Sequence, residues 1–471
     1  MTKLMNSNEI FYLGFTASFL FLIFISNSID LVHSLHLLNN GKKKPRPFVF
    51  FLVLRLLPLI LIIHPFFKVV VKIIVIIVCV LPIIINIIIK IRITTIKIKL
   101  PPIKLTKKQQ GVLYLGTLKT NITTRKFLLL DRDLQRHMFI TGLTGMGKSN
   151  LVKHLLNQFS IKYPSIPFLL VEFKGEYSNT TQKNPNITIF RPGESLKINI
   201  FDPMGEPPKI HAEKLLNMLT SCQIITFQEE FSSQMEKIFV EILYSVCSDE
   251  KRRNWEGFDY YTEQFKTSNG SRYYNLSNTI SSIENRIRRL KSGPLRDVFD
   301  DDFSLDPQKI IRSNTIIDLS SIIQKGGTKN DAVFFSNILF NHIWIYNLKN
   351  GPSSEINHFT LIEDSQFLLS QKHSQNSPSS SYLEDFALLL RGTGECLITI
   401  NTRPTISEDV MANAGVIISF QLNYDQKMMG KLLGLSETKY HYLAALDIGE
   451  CIIKTNSIPT PFMIKVPLIE N

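Results

Sequence analysis

The sequence has 471 residues, which is longer than chains that usually fold around a single small hydrophobic core. Its formal net charge is +13. The charge is unevenly placed: residues 1–110 hold fifteen Lys and Arg against two acidic residues, whereas the remaining 361 residues hold 38 of each sign. The net positive charge of the whole chain is therefore no evidence that residues 111–471 bind nucleic acid. The five cysteines are scattered without a Cys-x-x-Cys pair, which predicts neither a disulfide framework nor a zinc site.

Apolar stretches within residues 1–90 are long enough to cross a bilayer. The first is near residues 10–27, and prolines divide the second into spans near 48–66 and 69–89. Basic clusters follow the first and third spans, so the positive-inside rule places the remainder of the chain in the cytoplasm. The sequence predicts a multi-pass anchor of three helices in the cell membrane. Two spans with a re-entrant segment is the alternative, and a cleaved signal peptide fits less well.

Residues 91–130 have the alternating pattern of strands and are interpreted as a small β-rich linker region. It begins with IRITTIKIKL and contains GVLYLGTL over residues 111–118. The run KFLLLDRDLQRHMFIT then leads into a glycine-rich loop. Apolar residues recur at helical spacing after that loop, which predicts a helix of about fifteen residues.

The rest of the chain alternates strand-like and helical patterns, typical of an α/β fold. Short β-rich runs read LLVEF, NTIIDLSS, HFTLIED, ECLITIN and AGVIISFQL. Helical periods dominate residues 205–299, which we interpret as an all-helical insertion. Residues 131–204 and 300–471 then form a doubly wound, mainly parallel sheet with its active residues at the carboxyl edge.

Residues 142–149 read GLTGMGKS between a predicted strand and a predicted helix, the context of a phosphate-binding loop. Glycines let the backbone N–H groups approach phosphate oxygens, Lys148 is expected to reach the terminal phosphates, and the Ser149 hydroxyl is expected to ligate magnesium. The predicted cofactors are ATP and Mg²⁺. The predicted binding residues are Gly142, Leu143, Thr144, Gly145, Met146, Gly147, Lys148, Ser149 and Asn150.

Two adjacent acids, Glu363 and Asp364, end the run HFTLIED. ATP hydrolysis needs a carboxylate for the metal and a group that orients or deprotonates water. We expect this pair to face the phosphate loop from the adjacent strand. A solvated strand end is the alternative interpretation. The second acid of such pairs is usually Glu, so Asp364 is one methylene short.

Taken in order, several motifs resemble the HerA/FtsK superfamily of hexameric DNA-pumping ATPases. The motifs are RHMFITGLTGMGKSNLVKHLL, LLVEFKGEY, NTIIDLSSI, FTLIEDSQ and GECLITINTRPTISEDVMANAGVIISFQL. Within the superfamily they are most similar to HerA and to the conjugation or type IV secretion ATPases, especially archaeal ones. The resemblance covers about residues 110–468. It implies a RecA-like core, a homo-hexameric ring, ATP bound between neighbouring subunits, and DNA in the central pore.

The resemblance also implies roles for individual residues. Glu172, before the Gly-Glu-Tyr signature, would assist the metal or the water. Glu363 would lie in the metal shell and Asp364 would act as the catalytic acid. Arg391 would reach a neighbour's phosphate in trans, and Asn401 would occupy the sensor position. A surface salt bridge for Arg391 and a strand-end cap for Asn401 are the alternatives.

Three departures from the family pattern bear on the rate of turnover more than on nucleotide binding. Asp364 replaces Glu, Asn401 replaces the usual Gln before Arg-Pro, and Gln421 stands where relatives often have Arg.

The predicted DNA contact is the polar loop that contains Lys372, His373 and residues 374–381. Its cations and hydroxyls suit the backbone of double-stranded DNA, although an ordinary loop explains it equally well. The sequence thus predicts a membrane-anchored DNA translocase for conjugation, uptake or exchange, with a polytopic channel protein as partner. The alternatives are an ATPase of protein secretion or pilus assembly and a weakly hydrolysing nucleotide-binding scaffold.

Overall fold

In the computed structural model, the chain divides into two units, Met1–Pro102 and Ile103–Asn471. The structure describes residues 111–119, 124–177, 185–225, 231–299, 306–369 and 392–469, with five isolated positions before them. Apart from Ile84, the predicted spans lie outside these residues, as do Arg391 and the loop from Lys372 to residue 381. Among the residues that are described, no helix combines the length and the apolar character needed to cross a bilayer.

Eleven strands of the described chain form one sheet. They are β1 (Leu113–Lys119), β2 (Thr124–Leu129), β3 (Met138–Thr141), β4 (Phe168–Glu172), β5 (Ile187–Phe190), β6 (Asn314–Asp318), β7 (Ser353–Glu363), β8 (Thr393–Asn401), β9 (Val416–Ser419), β10 (Glu450–Thr455) and β11 (Phe462–Lys465). The helices are α1 (Asp131–Leu134), α2 (Lys148–Lys162), α3 (Pro208–Ser221), α4 (Ser233–Ser248), α5 (Trp255–Asn269), α6 (Leu276–Lys291), α7 (Pro307–Ile311), α8 (Ser320–Gln324), α9 (Lys329–Asn350), α10 (Glu408–Ala412) and α11 (Gln426–Leu433). Two 3₁₀ segments span Ser365–Phe367 and Glu437–Ala444.

The strand order is β2-β1-β11-β10-β9-β3-β8-β7-β4-β6-β5. The seven strands from β9 to β5 are parallel, and the four at the other edge are antiparallel. The predicted α/β fold with a mostly parallel sheet is confirmed. All carboxyl ends of the parallel strands meet at one edge, where ligands bind in such sheets.

The strands β1 and β2 lie in the segment 91–130 that was interpreted as a linker region. In the structure they extend the main sheet, because β11 offers β1 an open edge and pairs with it at Thr117 and Leu118. The predicted strand IRITTIKIKL is largely outside the described residues, and its described members Ile98 and Leu100 belong to no strand.

Burial on both faces explains why apolar and polar residues do not alternate along the central strands. Every residue of β3 and β4 is buried, as expected for a parallel strand covered on both faces. The helix α2 has the predicted fifteen residues and buries Leu151, Leu155 and Phe159. The Phe159 ring stacks on Phe359 of β7, with centroids 4.1 Å apart. This packing fixes α2, and with it the loop before it, over the middle of the sheet.

Four helices, α3 to α6, occupy most of the stretch predicted as a helical insertion. Two of them, α4 and α5, begin with a side-chain cap: Ser232 accepts from the Met235 N–H and Asn254 from the Gly257 N–H. On α6, buried apolar residues recur at helical spacing from Ile280 to Leu290.

Candidate active site

Residues at the carboxyl ends of four strands, or in the segments that follow them, line one cavity of about 360 Å³. Its lining residues are Thr144, Gly145, Gly147, Lys148, Ser149, Asn150, Lys174, Glu176, Glu363, Asp364 and Ile400. The structure thus brings most of the predicted phosphate loop together with both predicted acids, although they are more than 200 residues apart in the chain. The cavity is the candidate active site.

The glycine-rich loop connects β3 to α2 with a backbone that only glycine adopts easily. Gly142, Gly145 and Gly147 have φ angles of 152°, 80° and 108°. A Cβ at Gly142 would come within 2.5 Å of the Phe420 Cβ, so this turn is also tightly packed. At Gly145 no atom lies within 4 Å of an added Cβ, which leaves room for a ligand to approach the backbone.

Lys148, the first residue of α2, points its ammonium group back into the loop. Its Nζ donates to the carbonyl oxygens of Gly142 at 2.7 Å and Leu143 at 2.9 Å. Burial lowers the pKa of Lys148, and the nearby carboxylates of Asp364 and Glu363 oppose that effect. A buried ammonium between carbonyls and carboxylates is positioned to bind an anion such as phosphate.

The neighbouring strands fix the loop on both sides. The N–H of Gly142 donates to the Asn401 carbonyl of β8 at 3.2 Å, and the N–H of Leu143 donates to the Gln421 carbonyl after β9 at 2.8 Å. Asn150, which lines the cavity, donates through Nδ2 to the Pro467 carbonyl at 2.8 Å. The loop is therefore held in shape by backbone bonds that do not require a ligand.

Glu363 ends β7, and its Oε1 accepts a hydrogen bond of 2.7 Å from the Tyr177 hydroxyl. Burial raises the pKa of this carboxyl to about 7, with smaller contributions in the same direction from Glu176 and Glu172, while the Tyr177 bond lowers it. Glu363 is therefore a carboxylate that gains from a cation close by.

Asp364 follows in a left-handed conformation, with φ of 47°. Its Oδ2 lies 2.7 Å from the Nζ of Lys174, and its Oδ1 accepts from Gln366 at 3.1 Å. Asp tolerates this backbone region better than most residues. The turn directs the two acids to different partners, so they are not interchangeable.

The acids were expected on the strand adjacent to the phosphate-loop strand, and that expectation is wrong. Strand β8 lies between β3 and β7. Crossover connections decide which parallel strands are neighbours, and their lengths do not reveal it. The cavity nevertheless spans all three strand ends, because Ile400 of β8 lines it together with the loop and the acids.

Asn401 ends the intervening strand β8, between the phosphate loop and the acids. Its Oδ1 accepts a hydrogen bond of 2.6 Å from the Ser365 hydroxyl, and its side chain is fully buried. Its Nδ2 has no hydrogen-bond partner among the described residues. The residue lies behind the cavity lining, in a position to transmit a change between the loop and the acids.

Glu172 is buried behind the cavity instead of lining it. Its Oε2 accepts from the N–H groups of Lys174, Gly175 and Glu176, at 2.9, 2.7 and 3.3 Å. Burial raises its pKa, and these three bonds oppose the increase. The carboxylate thus shapes the turn after β4; direct assistance to metal or water stays a prediction.

The remaining motif residues have partners of their own. Gln421 donates through Nε2 to the Ala444 carbonyl at 2.8 Å. Arg403, of the Arg-Pro motif, pairs with Asp425 at 3.1 Å on the surface. Arg391 lies outside the described residues, so its reach toward a neighbour stays a prediction.

The sequence reasoning missed three residues of the site, Lys174, Glu176 and Tyr177. All lie in the LLVEFKGEY motif, directly after β4. Their position after a buried strand of the parallel sheet was the available signal, since all such strands end at the active edge.

Comparison with known proteins agrees with this geometry. The family model described as "Helicase HerA, central domain" matches residues 113–329. A probable helicase of Methanocaldococcus jannaschii is 23% identical over 380 residues, which cover 76% of this chain and 67% of that protein. The DNA double-strand break repair helicase HerA of Sulfurisphaera tokodaii is 23% identical over 388 residues, covering 78% and 73%.

Two solved structures share the fold. VirB4 of Thermoanaerobacter pseudethanolicus has a TM-score of 0.58 at 15% identity and covers 76% of this chain and 97% of its own. The plasmid coupling protein TrwB, in complex with a GTP analogue, has a TM-score of 0.52 at 11% identity and covers 81% and 92%.

The chain is thus similar in sequence to HerA-type helicases, and it shares the fold of VirB4 and TrwB. The cavity residues of this chain fit a magnesium nucleotide. Gly145 leaves the loop backbone open, and Lys148 supplies a cation for phosphate. The Ser149 hydroxyl and the Glu363 carboxylate are oxygen ligands of the kind that Mg²⁺ prefers.

The described residues contain no group of three or more His, Cys, Asp or Glu side chains placed to hold a metal ion. A magnesium nucleotide needs only one or two protein oxygens, because the phosphates and water supply its other ligands.

Proposed function

We propose that the protein is a membrane-anchored ATPase that hydrolyses ATP to move double-stranded DNA, as a ring of six subunits. The main evidence for this proposal is the cavity that brings Lys148 and Ser149 together with Glu363 and Asp364. Such a cavity suits nucleotide hydrolysis, and the likeness to DNA helicases supports DNA as the substrate moved.

Each residue has a separate task in this mechanism. Lys148 and the loop N–H groups bind the phosphates, and Ser149 and Glu363 would hold magnesium. Held there, magnesium would supply positive charge that stabilises the phosphates. Asp364 orients the attacking water and accepts its proton, and Asn401 connects the loop to the acids. Catalysis of this kind depends on positioning and electrostatic stabilisation, which buried, hydrogen-bonded side chains supply.

A ring of subunits would complete the site. The cavity contains no arginine among its described lining residues, and developing negative charge in phosphoryl transfer is commonly stabilised by an arginine. Arg391 of a neighbouring subunit would supply it in trans.

The anchor is proposed from the sequence, through the spans near residues 10–27, 48–66 and 69–89. A motor must be fixed to a channel if translocation is to deliver cargo across a membrane, so a polytopic channel protein is the expected partner. The ATPase unit would lie on the cytoplasmic side. Protease treatment of sealed, inside-out membrane vesicles tests this orientation: digestion of the ATPase unit is expected, and its protection would contradict the assignment.

The central experiment measures ATP hydrolysis by the full-length protein in detergent, with and without double-stranded DNA. We expect DNA to increase the rate several-fold, and the increase to weaken with rising salt because the contacts are to the backbone. Hydrolysis that DNA leaves unchanged would contradict DNA translocation and favour a secretion or pilus-assembly ATPase.

A mixing experiment tests the ring. An Arg391→Ala subunit keeps its own loop and acids, whereas a Lys148→Ala subunit keeps its arginine. Mixed rings are expected to regain part of the activity that each variant lacks alone. The absence of recovery in verified mixed assemblies would contradict a role for Arg391 across the interface.

A weakly hydrolysing nucleotide-binding scaffold is the second candidate, and one observation favours it. Asp364 is shorter than the usual Glu and is paired with Lys174 at 2.7 Å. Tight nucleotide binding without turnover, with or without DNA, is the result that this candidate predicts.

A further inference from the structure

Lys174 is a second cation in the nucleotide cavity. It follows β4, and its Nζ lies 2.7 Å from Oδ2 of Asp364. The Lys174 side chain is 46% exposed, whereas that of Asp364 is 7% exposed. The pair therefore joins a buried acid to a cation at the open side of the same cavity.

The two cavity lysines are held differently. Lys148 bonds two carbonyl oxygens of its own loop, while Lys174 bonds the acid proposed to orient water. Each ammonium lies close enough to Asp364 and Glu363 to interact with both carboxylates. A ligand anion that enters the cavity would meet two lysines among its lining residues.

The backbone of Lys174 is fixed even though its side chain reaches solvent. The Glu172 carboxylate holds the N–H groups of residues 174, 175 and 176. Gly175 has a φ of 72°, and a Cβ there would come within 3.2 Å of the Ser320 hydroxyl oxygen. The backbone of Lys174 is thus held in a fixed turn. The flexible side chain can still move its ammonium group to another partner without movement of the backbone.

Exchange of that partner is feasible from the lysine side, because the Lys174 end of the pair reaches solvent. A partly exposed ion pair contributes little net stability, because water screens it. A terminal phosphate carries more negative charge than one carboxylate and offers more acceptor oxygens, so it competes well for an ammonium group.

We propose that Lys174 is a triphosphate sensor: its ammonium pairs with Asp364 until a nucleoside triphosphate binds, and then shifts to the terminal phosphate. The inference rests on the proposed nucleotide-binding function of this cavity. Lys174 then leaves Asp364 without its counter-ion when a triphosphate is bound, but not when a diphosphate is bound. The shift would limit the activation of water to the state with a bound triphosphate. It would also explain how Asp364 acts as the catalytic acid where Glu is usual.

Binding measurements on the full-length protein test the proposal without relying on hydrolysis. The probes are a non-hydrolysable ATP analogue and ADP, each with magnesium. Lys174→Met is expected to reduce the preference for the triphosphate about tenfold, the loss of one charge-assisted hydrogen bond, with ADP affinity nearly unchanged. Lys174→Arg should keep most of the preference, since the charge remains.

Lys162→Met is the matched control. Lys162 is exposed at the end of α2 and is outside the cavity lining, so its loss should change neither affinity. Asp364→Asn adds a second test: it should tighten triphosphate binding when Lys174 is present and have a smaller effect in the Lys174→Met background.

The outcomes separate the inference from the function on which it rests. Wild-type protein that binds neither nucleotide contradicts both. Wild-type protein that binds nucleotide without preferring the triphosphate overturns the sensor alone. So does a Lys174→Met variant that keeps the wild-type preference or loses affinity equally for both nucleotides.

Discussion

The Tyr177 hydroxyl donates a hydrogen bond of 2.7 Å to Oε1 of Glu363, and both side chains are buried. The bond connects the loop after β4 to the end of β7. Burial, together with the Glu363 charge, raises the pKa of Tyr177 well above its usual value, so the phenol remains a donor at any physiological pH. Tyr177 thereby stabilises the ionised form of an acid whose burial favours the protonated form.

Replacement of Tyr177 by Phe is expected to slow hydrolysis most strongly near neutral pH. Without the donor, the pKa of Glu363 rises above its present value of about 7, so a larger fraction is protonated at pH 7. The lost hydrogen bond to the Glu363 carboxylate is worth about 1.5–3 kcal/mol. Activity should partly recover above pH 8, where Glu363 is again ionised. Tyr163→Phe is the control, since that hydroxyl bonds Asp131 instead. A pH–rate profile identical to wild type would contradict this role.

Glu363 should make the nucleotide-free protein less stable as pH rises. Its folded pKa of about 7 exceeds the ordinary value of 4.5, so the folded state binds more protons between these values. The contribution to stability is complete below about pH 4.5 and is lost as pH rises through about 7. Glu363→Gln should therefore stabilise the protein at pH 8 by about 2 kcal/mol relative to pH 5. Thermal unfolding of variant and wild type at both pH values measures this difference.

Replacement of Lys148 by Ala should abolish both nucleotide binding and hydrolysis. The ammonium is the phosphate-loop cation of the cavity, and its bonds to Gly142 and Leu143 are within the loop. The fold should persist, because Gly142 and Leu143 keep their backbone bonds to β8 and to the segment after β9. Circular dichroism checks the fold, and hydrolysis by a purified, folded variant at the wild-type rate would contradict the site assignment.

Two glycines with nearly equal φ angles separate the effect of backbone strain on nucleotide binding from the effect of ligand contact. Gly145 and Gly351 have φ values of 80° and 81°, and neither has an atom within 4 Å of an added Cβ. Alanine at either should cost about 1–3 kcal/mol of stability, because L residues disfavour positive φ angles. Only Gly145→Ala should weaken nucleotide binding, since Gly351 follows α9 outside the cavity. Equal binding losses would show that strain, not contact, is responsible.

Asn401 should affect turnover more than affinity. It lies behind the cavity and accepts the Ser365 hydroxyl bond at 2.6 Å, without direct exposure to a ligand. Asn401→Ala is expected to lower kcat about tenfold with little change in nucleotide Kd, and to cost about 1–3 kcal/mol of stability because Ser365 loses its acceptor. Ser365→Ala should give a smaller decrease in kcat. A large loss of affinity with kcat preserved would contradict this assignment.

The sequence by itself determined the parts of this protein that depend on local chemistry. Glycine spacing with Lys148 and Ser149 specified the phosphate loop, because few other residues allow that backbone. Apolar runs specified the buried strands β3, β4 and β6 to β9, since parallel strands are covered on both faces. The acids at 363 and 364 were recognised for the same reason, as polar residues that end a buried strand.

Only the tertiary structure decided which strands are neighbours and which side chains meet. The insertion of β8 between β3 and β7, and the addition of β1 and β2 to the edge at β11, depend on long-range pairing that periodicity does not encode. The pairs Lys174 with Asp364 and Tyr177 with Glu363 join residues about 190 positions apart. Contacts of that kind come from the packing of whole elements, so the sequence could name the phosphate loop and the two acids but not the Lys174 and Tyr177 side chains that bind those acids.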